Sequence, residues 1–108
     1  MNRISIKPLS VNVCWQGKRF KTPLYKAYEE EMLYSIKKER IPSGKLFLRL
    51  TIGVSSKNAD LDNVVKPFLD ILQKKSGFND KQIYGMDLWK EDVEKGKEFI
   101  EWEITPLN

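Results

Sequence analysis

The sequence predicts an α+β fold: one domain, residues 1–108, in which a mixed β-sheet carries two helices in the order β-α-β-α-β-β. Apolar residues recur at helical spacing in two segments and follow strand-like patterns in the others. With 108 residues, 41% hydrophobic and 31% charged, the chain has the size and composition of one globular domain. It contains no internal repeat and no low-complexity tract, so nothing in the pattern indicates a second domain.

The N-terminal part predicts a strand, a loop and a helix. Residues 3–7 alternate apolar and polar side chains, as strands do, whereas residues 9–21 show no sustained period and are interpreted as a loop. A helix is predicted to start at Thr22, whose hydroxyl can cap free N–H groups, and Pro23, which loses no hydrogen bond at the first helical position. The residues expected on its buried face are Tyr25, Tyr28, Met32 and Ile36.

The central part predicts a second strand and a second helix. Residues 46–53 form an aliphatic run with one well-buried face, which indicates a strand. Apolar residues then return at helical spacing from Val64 onward. Because Pro67 has no backbone N–H, the helix is expected to begin close to Val64 rather than at Asp60.

The C-terminal part predicts two more strands. The runs are residues 82–89 and 98–105, and a charged turn that contains Gly96 joins them. The residues expected on one side of the last run are Ile100, Trp102 and Ile104.

Composition narrows the possible chemistry. The chain has no histidine, which excludes Ser-His and Cys-His nucleophile pairs and every metal site that contains histidine. A single cysteine, Cys14, permits no internal disulfide and no CxxC zinc pair, fits a reducing compartment, and is expected to be a small core residue. The net charge of +4 is a mild bias toward polyanionic partners. With no signal peptide and no long apolar stretch, we expect a soluble cytoplasmic protein without a membrane partner.

A group of carboxylates and a lysine stands out before and after the second helix. In extended backbone, residues two apart point to the same side, so Asp60 and Asp62 would share one volume while Leu61 points into the core. Two carboxylates held together repel unless a cation lies between them, and hard Mg²⁺ or Mn²⁺ prefers oxygen ligands. Lys66 follows about one helical turn later, and Asp80 can supply a third carboxylate.

Simpler interpretations of the same residues stay open on spacing alone. Asp60 or Asp62 can be the N-cap of the second helix. Lys66 can be a solvated helix lysine paired with Asp70 four residues on, and Asp80 can be an ordinary turn residue.

Two motifs in the right order resemble a known family. The run DLDNVVKPFLDIL at residues 60–72 is followed by GFNDKQI at residues 77–83. Together they resemble the signature of the RusA family of Holliday-junction resolvases, which pairs DxDNxxK with a downstream (D/N)DxQ(I/V). Residues 8–15 and 18–22 are similar to the N-terminal loop of that family. The acidic residue often found before the last aspartate is Asn79 here, a small departure.

The resemblance implies a function and a site. It implies a metal-dependent crossover junction endodeoxyribonuclease, a hydrolase that cuts phosphodiester bonds of four-way and related branched DNA in recombination and repair. The family's metal-binding aspartates fall on Asp60, Asp62 and Asp80, and its active-site lysine falls on Lys66, so these four are the expected catalytic residues. Mg²⁺ is the implied ion, with Mn²⁺ as a substitute and no organic cofactor. The resemblance also implies a homodimer, which suits the paired cuts that a two-fold junction needs.

The N-terminal loop provides the candidates for DNA contact. Asn12, Lys18, Arg19 and Lys21 lie in this basic and aromatic segment, and the three cations are the first candidates for phosphate contacts. Two other functions remain possible on the sequence. One is a nucleic-acid-binding module without catalysis, and the other is a structural or interaction protein such as a phage or mobile-element accessory factor.

The position of Asp80 poses a geometric question. About twelve helical residues would carry the chain ~18 Å away from Asp62 before it turns back. Either residues 77–82 fold back alongside the helix, or Asp80 belongs to a site that a second subunit completes.

Overall fold

A four-stranded mixed sheet packs one face against two helices in the computed structural model, which describes residues 1–17 and 19–107. The predicted α+β class, with two helices and a mixed sheet, is confirmed. The helices are α1 (Pro23–Ser35) and α2 (Asp62–Ser76), and the strands are β1 (Asn2–Ile4), β2 (Trp15–Gln16), β3 (Phe20–Lys21), β4 (Leu46–Val54), β5 (Ile83–Asp92) and β6 (Phe99–Pro106). Two short 3-10 turns, Val11–Val13 and Asp80–Gln82, complete the regular structure.

The sheet has the order β1-β6-β4-β5, with β4 in the interior. Strand β4 pairs in parallel with β5 and antiparallel with β6, so α2 is the crossover between two parallel neighbours. The last two strands are joined by a short connection, as expected, but they are not neighbours, because β4 lies between them. The amide of Val93 donates to the carbonyl of Val54 at 2.8 Å, which holds the start of this connection against the end of β4.

Helix α1 begins as the sequence predicts. The backbone N–H of Tyr25 donates to Thr22 Oγ1 at 3.2 Å, and Pro23 is the first helical residue. The residues expected on its buried face are all buried: Tyr25, Tyr28, Met32 and Ile36. Ile36 lies just past the helix end and still packs into the core.

The N-terminal segment is more structured than its sequence indicates. Strand β1 covers residues Asn2–Ile4, shorter than the predicted residues 3–7. The predicted loop contains a 3-10 turn and the small hairpin β2–β3, in which Trp15 pairs with Lys21 and Gln16 with Phe20. Strands of two residues are too short to show an alternating pattern, which explains why the prediction of an unstructured loop was wrong.

Helix α2 begins at Asp62, two residues before the expected start at Val64. Pro67 therefore lies beyond the first turn, where its missing N–H leaves the carbonyl of Asn63 without the usual helical partner. Gly77 ends the helix with a left-handed backbone (φ 77°), a conformation that glycine adopts without steric cost.

The core lies between the sheet and the helices. Phe68 of α2 meets Trp102 of β6 edge to face, with ring centroids 5.2 Å apart, and Cys14 is fully buried, as expected. The inward residues of the interior strands are Leu46, Leu48, Leu50, Ile52, Ile100, Trp102 and Ile104, so the predicted inward face of the last strand is confirmed. Within the described residues, neither helix is long and apolar enough to cross a membrane.

Candidate active site

The backbone before α2 differs from the extended geometry that the sequence suggested. Leu61 has helical dihedral angles (φ −59°, ψ −44°). Asp60 and Asp62 therefore do not flank an extended residue, and the expectation that backbone alternation directs both carboxylates to one side was wrong. Asp60 lies before the helix and Asp62 lies in its first turn, and both are exposed.

Neither aspartate caps the helix. The N-cap position is Leu61, and no side chain makes a capping hydrogen bond there. Asp60 Oδ2 instead accepts a hydrogen bond from Asn63 Nδ2 at 3.3 Å. Asp62 places a negative charge in the first turn, where the helix dipole favours it. The simpler interpretation of these residues as N-caps therefore does not account for either of them.

Lys66 joins α2 to the turn that carries Asp80. Its Nζ lies 2.7 Å from Asp70 Oδ1 and 3.5 Å from Asp80 Oδ2. The pairing with Asp70, four residues on, was one of the predicted alternatives and is confirmed. The contact with Asp80 shows that residues 77–82 fold back alongside α2. We call Lys66, Asp70 and Asp80 the Lys66 cluster.

Asp80 is held in place by a network of amide side chains. Its backbone N–H donates to Gln73 Oε1 of α2 at 2.8 Å. Asn79 Oδ1 accepts from the backbone N–H of Lys81 at 2.9 Å, and Gln82 Oε1 accepts from that of Asn79 at 3.0 Å, which forms a capping box around the turn. Gln82 Nε2 also donates to the carbonyl of Gly44 at 2.9 Å. Asn79 thus has a structural role in this turn.

The Lys66 cluster has more negative than positive charge. The hydrogen bond to Asp70, together with the charges of Asp70 and Asp80, raises the pKa of Lys66 against a smaller opposing effect of burial. Lys66 is therefore an ammonium at neutral pH and cannot act as a general base there. With side-chain exposures of 60% for Lys66 and 36% for Asp80, both groups can reach a ligand from solvent.

The three predicted metal ligands come from both ends of α2, since Asp60 precedes the helix, Asp62 lies in its first turn and Asp80 follows it. Gln73, which binds the Asp80 backbone, comes eleven residues after Asp62, or ~16 Å along the helix axis. In the ranges 1–17 and 19–107, no three acidic or cysteine side chains form a group that could hold a metal ion. Assignment of Asp60, Asp62 and Asp80 as a metal-binding set stays a prediction. As carboxylate oxygen donors, of which Asp60 and Asp62 are exposed, they suit Mg²⁺ or Mn²⁺ in chemistry.

The predicted DNA-binding residues have different environments. Arg19 is exposed, and so is Asn12, whose backbone N–H donates to Ser10 Oγ at 3.2 Å. Lys21 is half-buried, and its Nζ contacts both oxygens of Glu29 at 2.9 and 3.0 Å. Lys18 lies outside the described residues.

A second charged cluster lies where α1, α2 and the hairpin meet. Glu29 of α1 accepts hydrogen bonds from Lys21 of β3 and, at 2.7 Å, from Lys74 of α2. Burial alone would raise the pKa of Glu29, but the hydrogen bonds from Lys74 and Lys21 outweigh it and lower the pKa. We call Lys21, Glu29 and Lys74 the Glu29 cluster.

The charge of Asp70 acts on residues at the base of the hairpin. The pKa of Tyr25 is raised to about 12, first by burial and then by the charge of Asp70. Burial and the same charge raise the pKa of Cys14, which precedes β2. The 3-10 turn Val11–Val13 also contacts α2. The N-terminal segment that carries the candidate DNA-binding residues therefore adjoins α2, the helix that carries Lys66 and Asp70.

Sequence reasoning missed part of this arrangement. Asp70 was considered only as a partner of Lys66, and Gln73 and Gln82 were not singled out. Helical spacing contained a signal for Asp70 and Gln73, because residues four and seven positions after Lys66 share its side of the helix. The bond from Gln82 to Gly44 spans 38 residues and has no local signature.

No model of a known protein family matches the chain, and no curated protein matches it at a significant level.

Proposed function

We propose that this protein is a metal-dependent endodeoxyribonuclease that hydrolyses phosphodiester bonds of four-way and related branched DNA, in recombination and repair. Asp60, Asp62, Asp80 and Lys66 are the proposed catalytic residues, and the three aspartates are the proposed ligands of Mg²⁺ or Mn²⁺. A role in the cytoplasm, without an organic cofactor, belongs to the same proposal. It fits the absence of histidine and the single buried cysteine.

The observation that carries the proposal is the contact between Lys66 and Asp80. It joins the two segments of the family-like signature, which are fourteen residues apart at these positions. The amide network around Asp80 supports the same interpretation, because Gln73 and Gln82 fix a carboxylate that is itself left accessible.

The carboxylates suit the binding of a divalent ion. When bound, such an ion supplies a water of lowered pKa and polarises the phosphoryl oxygens. Asp60 and Asp62 are exposed, and Asp60 is oriented by Asn63, so both can turn toward an ion without unfolding the helix. The proposed role of these side chains is to hold the ion and to keep its position relative to the scissile phosphate.

Lys66 would act by its charge. Because its neighbours raise its pKa, it carries a proton throughout the neutral range and presents an N–H donor to the phosphate. A preorganised cation of this kind stabilises the additional negative charge that develops on the phosphoryl oxygens in the transition state. Asp70 is its positioning partner, since it holds Nζ at 2.7 Å from the helix side.

A homodimer is the proposed assembly, because a junction with two-fold symmetry needs two coordinated cuts. Strand β5 supports this proposal. In the described sheet it is paired on one side only, and an open edge strand can pair with another chain. It also exposes the large side chains Tyr84, Met86 and Trp89.

Two arrangements can complete a three-carboxylate site: Asp80 serves the Asp60 and Asp62 of its own chain, or those of its partner. Mixing Asp62→Asn and Asp80→Asn proteins distinguishes them. With a shared site, half of the dimers are mixed and each regains one intact site, so nicking returns to about a quarter of the parent rate. With sites built within one chain, the mixture remains as inactive as its components.

The central experiment is cleavage of a synthetic four-way junction and a linear duplex in Mg²⁺. We expect the parent to cut the junction, and Asp62→Asn to bind it but cut about 10²- to 10³-fold more slowly. Glu101→Gln is the matched control, because Glu101 lies on the interior strand β6 and pairs with Arg3 on the face of the sheet opposite α2. Equal cutting by the parent and Asp62→Asn would contradict the metal-site assignment.

The same experiment separates the two other candidate functions. A nucleic-acid-binding module without catalysis would bind the junction and leave it uncut in Mg²⁺ or Mn²⁺. An accessory protein without a nucleic-acid role would not bind the junction at all.

A further inference from the structure

The hairpin β2–β3 forms one wall of an open groove with exposed aromatic side chains. The groove has a volume of about 600 Å³, within the ~300–1,000 Å³ typical of small-ligand sites. It is lined by residues of the hairpin and of the first turns of α1, among them Trp15, Arg19, Phe20, Lys21 and Lys26. The side chain of Phe20 is exposed by 72% and that of Trp15 by 41%, which is unusual for two large aromatic residues at one site.

Contacts with α1 and at the base of the hairpin hold the Trp15 side of the aromatic wall. Trp15 meets Tyr25 of α1 edge to face, with ring centroids 5.7 Å apart. The base of the hairpin is closed by Thr22, whose N–H donates to the carbonyl of Cys14 at 2.9 Å and whose Oγ1 donates to that of Val13 at 2.6 Å. A ligand that stacks on Trp15 would therefore meet a preorganised ring.

The charge of the groove is positive. Arg19 and Lys26 are exposed, and no acidic side chain of residues 1–17 or 19–107 forms an ion pair with either. Lys21, by contrast, is neutralised by Glu29. Two free cations beside two exposed aromatic rings match a ligand that combines a planar ring with a phosphate.

We propose that this groove binds a nucleotide that is not base-paired, with its base stacked on Phe20 and Trp15 and its phosphate on Arg19 and Lys26. Stacking on aromatic side chains beside a cationic surface is how proteins bind single strands without reading their sequence. Its use in branch cutting rests on the proposed function, and the two sites share a neighbour in Tyr25, which Trp15 meets edge to face and on which the charge of Asp70 acts. Binding to the groove itself does not need catalysis.

The test is binding of a fluorescent oligothymidylate of about twelve nucleotides, a length within the ~4–16 nucleotide range of such sites, in EDTA. We expect Phe20→Ala to weaken binding about 5- to 150-fold, and Phe20→Tyr, which keeps an aromatic ring, to bind like the parent. Tyr34→Ala is the matched control, since Tyr34 is 91% exposed on the same helix as Lys26 but borders Glu30 and Glu31 instead of cations. It should bind like the parent.

Charge variants test the phosphate contacts. Arg19→Gln and Lys26→Gln should each reduce the slope of log affinity against log salt by about 0.7, the value for one phosphate of a single strand. Equal affinities of Phe20→Ala and Tyr34→Ala, or salt slopes unchanged by both charge variants, would overturn the proposal.

The two experiments give different results when the groove proposal is wrong and when the proposed nuclease function is wrong. Binding that depends on Phe20, with no junction cutting by the parent, would keep the groove and reject the nuclease. Junction cutting that depends on Asp62, with no effect of Phe20→Ala on oligothymidylate binding, would keep the nuclease and reject the groove.

Discussion

Two lysines of α2 hold carboxylates at the same distance, and the clusters around them have opposite composition. Lys66 Nζ lies 2.7 Å from Asp70, and Lys74 Nζ lies 2.7 Å from Glu29. In the Lys66 cluster one ammonium group forms ion pairs with two carboxylates. In the Glu29 cluster one carboxylate forms ion pairs with two ammonium groups. The first has an excess of negative charge that a further cation can satisfy, and the second has none.

Burial separates the clusters further. The side chain of Glu29 is only 15% exposed and connects three elements of the fold, whereas Asp80 is 36% exposed and lies on a turn. A carboxylate enclosed by two cations stabilises the fold, but it is not free to bind anything else. An accessible carboxylate with a shared cation contributes less to stability and retains capacity for a ligand. The comparison teaches that lysines with the same hydrogen-bond length can have different roles.

The largest effect that separates the clusters should be on cleavage. Lys66→Met and Lys74→Met each remove one exposed ammonium from α2 and keep a long apolar side chain. We expect junction cutting to fall about 10²- to 10³-fold in Lys66→Met, because a donor to the developing charge is lost, and to stay within about two-fold in Lys74→Met. Single-turnover rates at saturating enzyme measure both. Similar rates for the two variants would remove the catalytic distinction between the clusters.

The next effect should be on stability. Glu29→Gln leaves Lys21 and Lys74 without their shared carboxylate, and we expect the free energy of unfolding to fall by about 1–3 kcal/mol. Asp70→Asn, in the more exposed cluster, should cost no more than about 1 kcal/mol. Urea unfolding followed by circular dichroism gives both values. A larger loss in Asp70→Asn than in Glu29→Gln would mean that the structural and accessible clusters have been assigned the wrong way round.

The smallest effect should be a pH dependence of the difference in stability between the parent and Glu29→Gln. Because the folded pKa of Glu29 lies below its ordinary value, its stabilising contribution is fully present above the unfolded pKa of ~4.3 and is lost as pH falls through the folded value. The difference in Tm between the parent and Glu29→Gln should therefore be constant from pH 7 to pH 5 and narrow below pH 4. Thermal melts across this range test it, and a difference that widens toward low pH would contradict the direction of the shift.

The parts of the fold predicted from sequence are those with local causes. Thr22 and Pro23 mark the start of α1 by capping chemistry that needs only neighbouring residues, and β4 is long enough for its pattern to show. The hairpin β2–β3 was missed because two residues cannot display a period. The separation of β5 from β6 depends on the pairing of both with β4, a nonlocal choice that no turn between them encodes.

The candidate site also has residues that the sequence could predict and residues that it could not. The sequence identified Lys66 and Asp80 by motif and Asp70 by helical spacing, and the structure brings these three together. The sequence-based prediction was wrong at Leu61, where helical dihedral angles replace the expected extended backbone. A helix start can move by a residue or two without changing the apolar pattern. Gln82 could not be found, since its partner Gly44 is distant in sequence.

The place of β6 in the sheet has a consequence for how the protein is made. Strand β6 is synthesised after every other strand, yet it lies between β1 and β4 and pairs with both. Ile100 meets Ile52 of β4 and Ile4 of β1, so the first strand cannot join the sheet until β6 has left the ribosome. The nascent chain must therefore carry β4 without its β6 partner until β6 emerges, and nonlocal strand pairs of this kind form slowly.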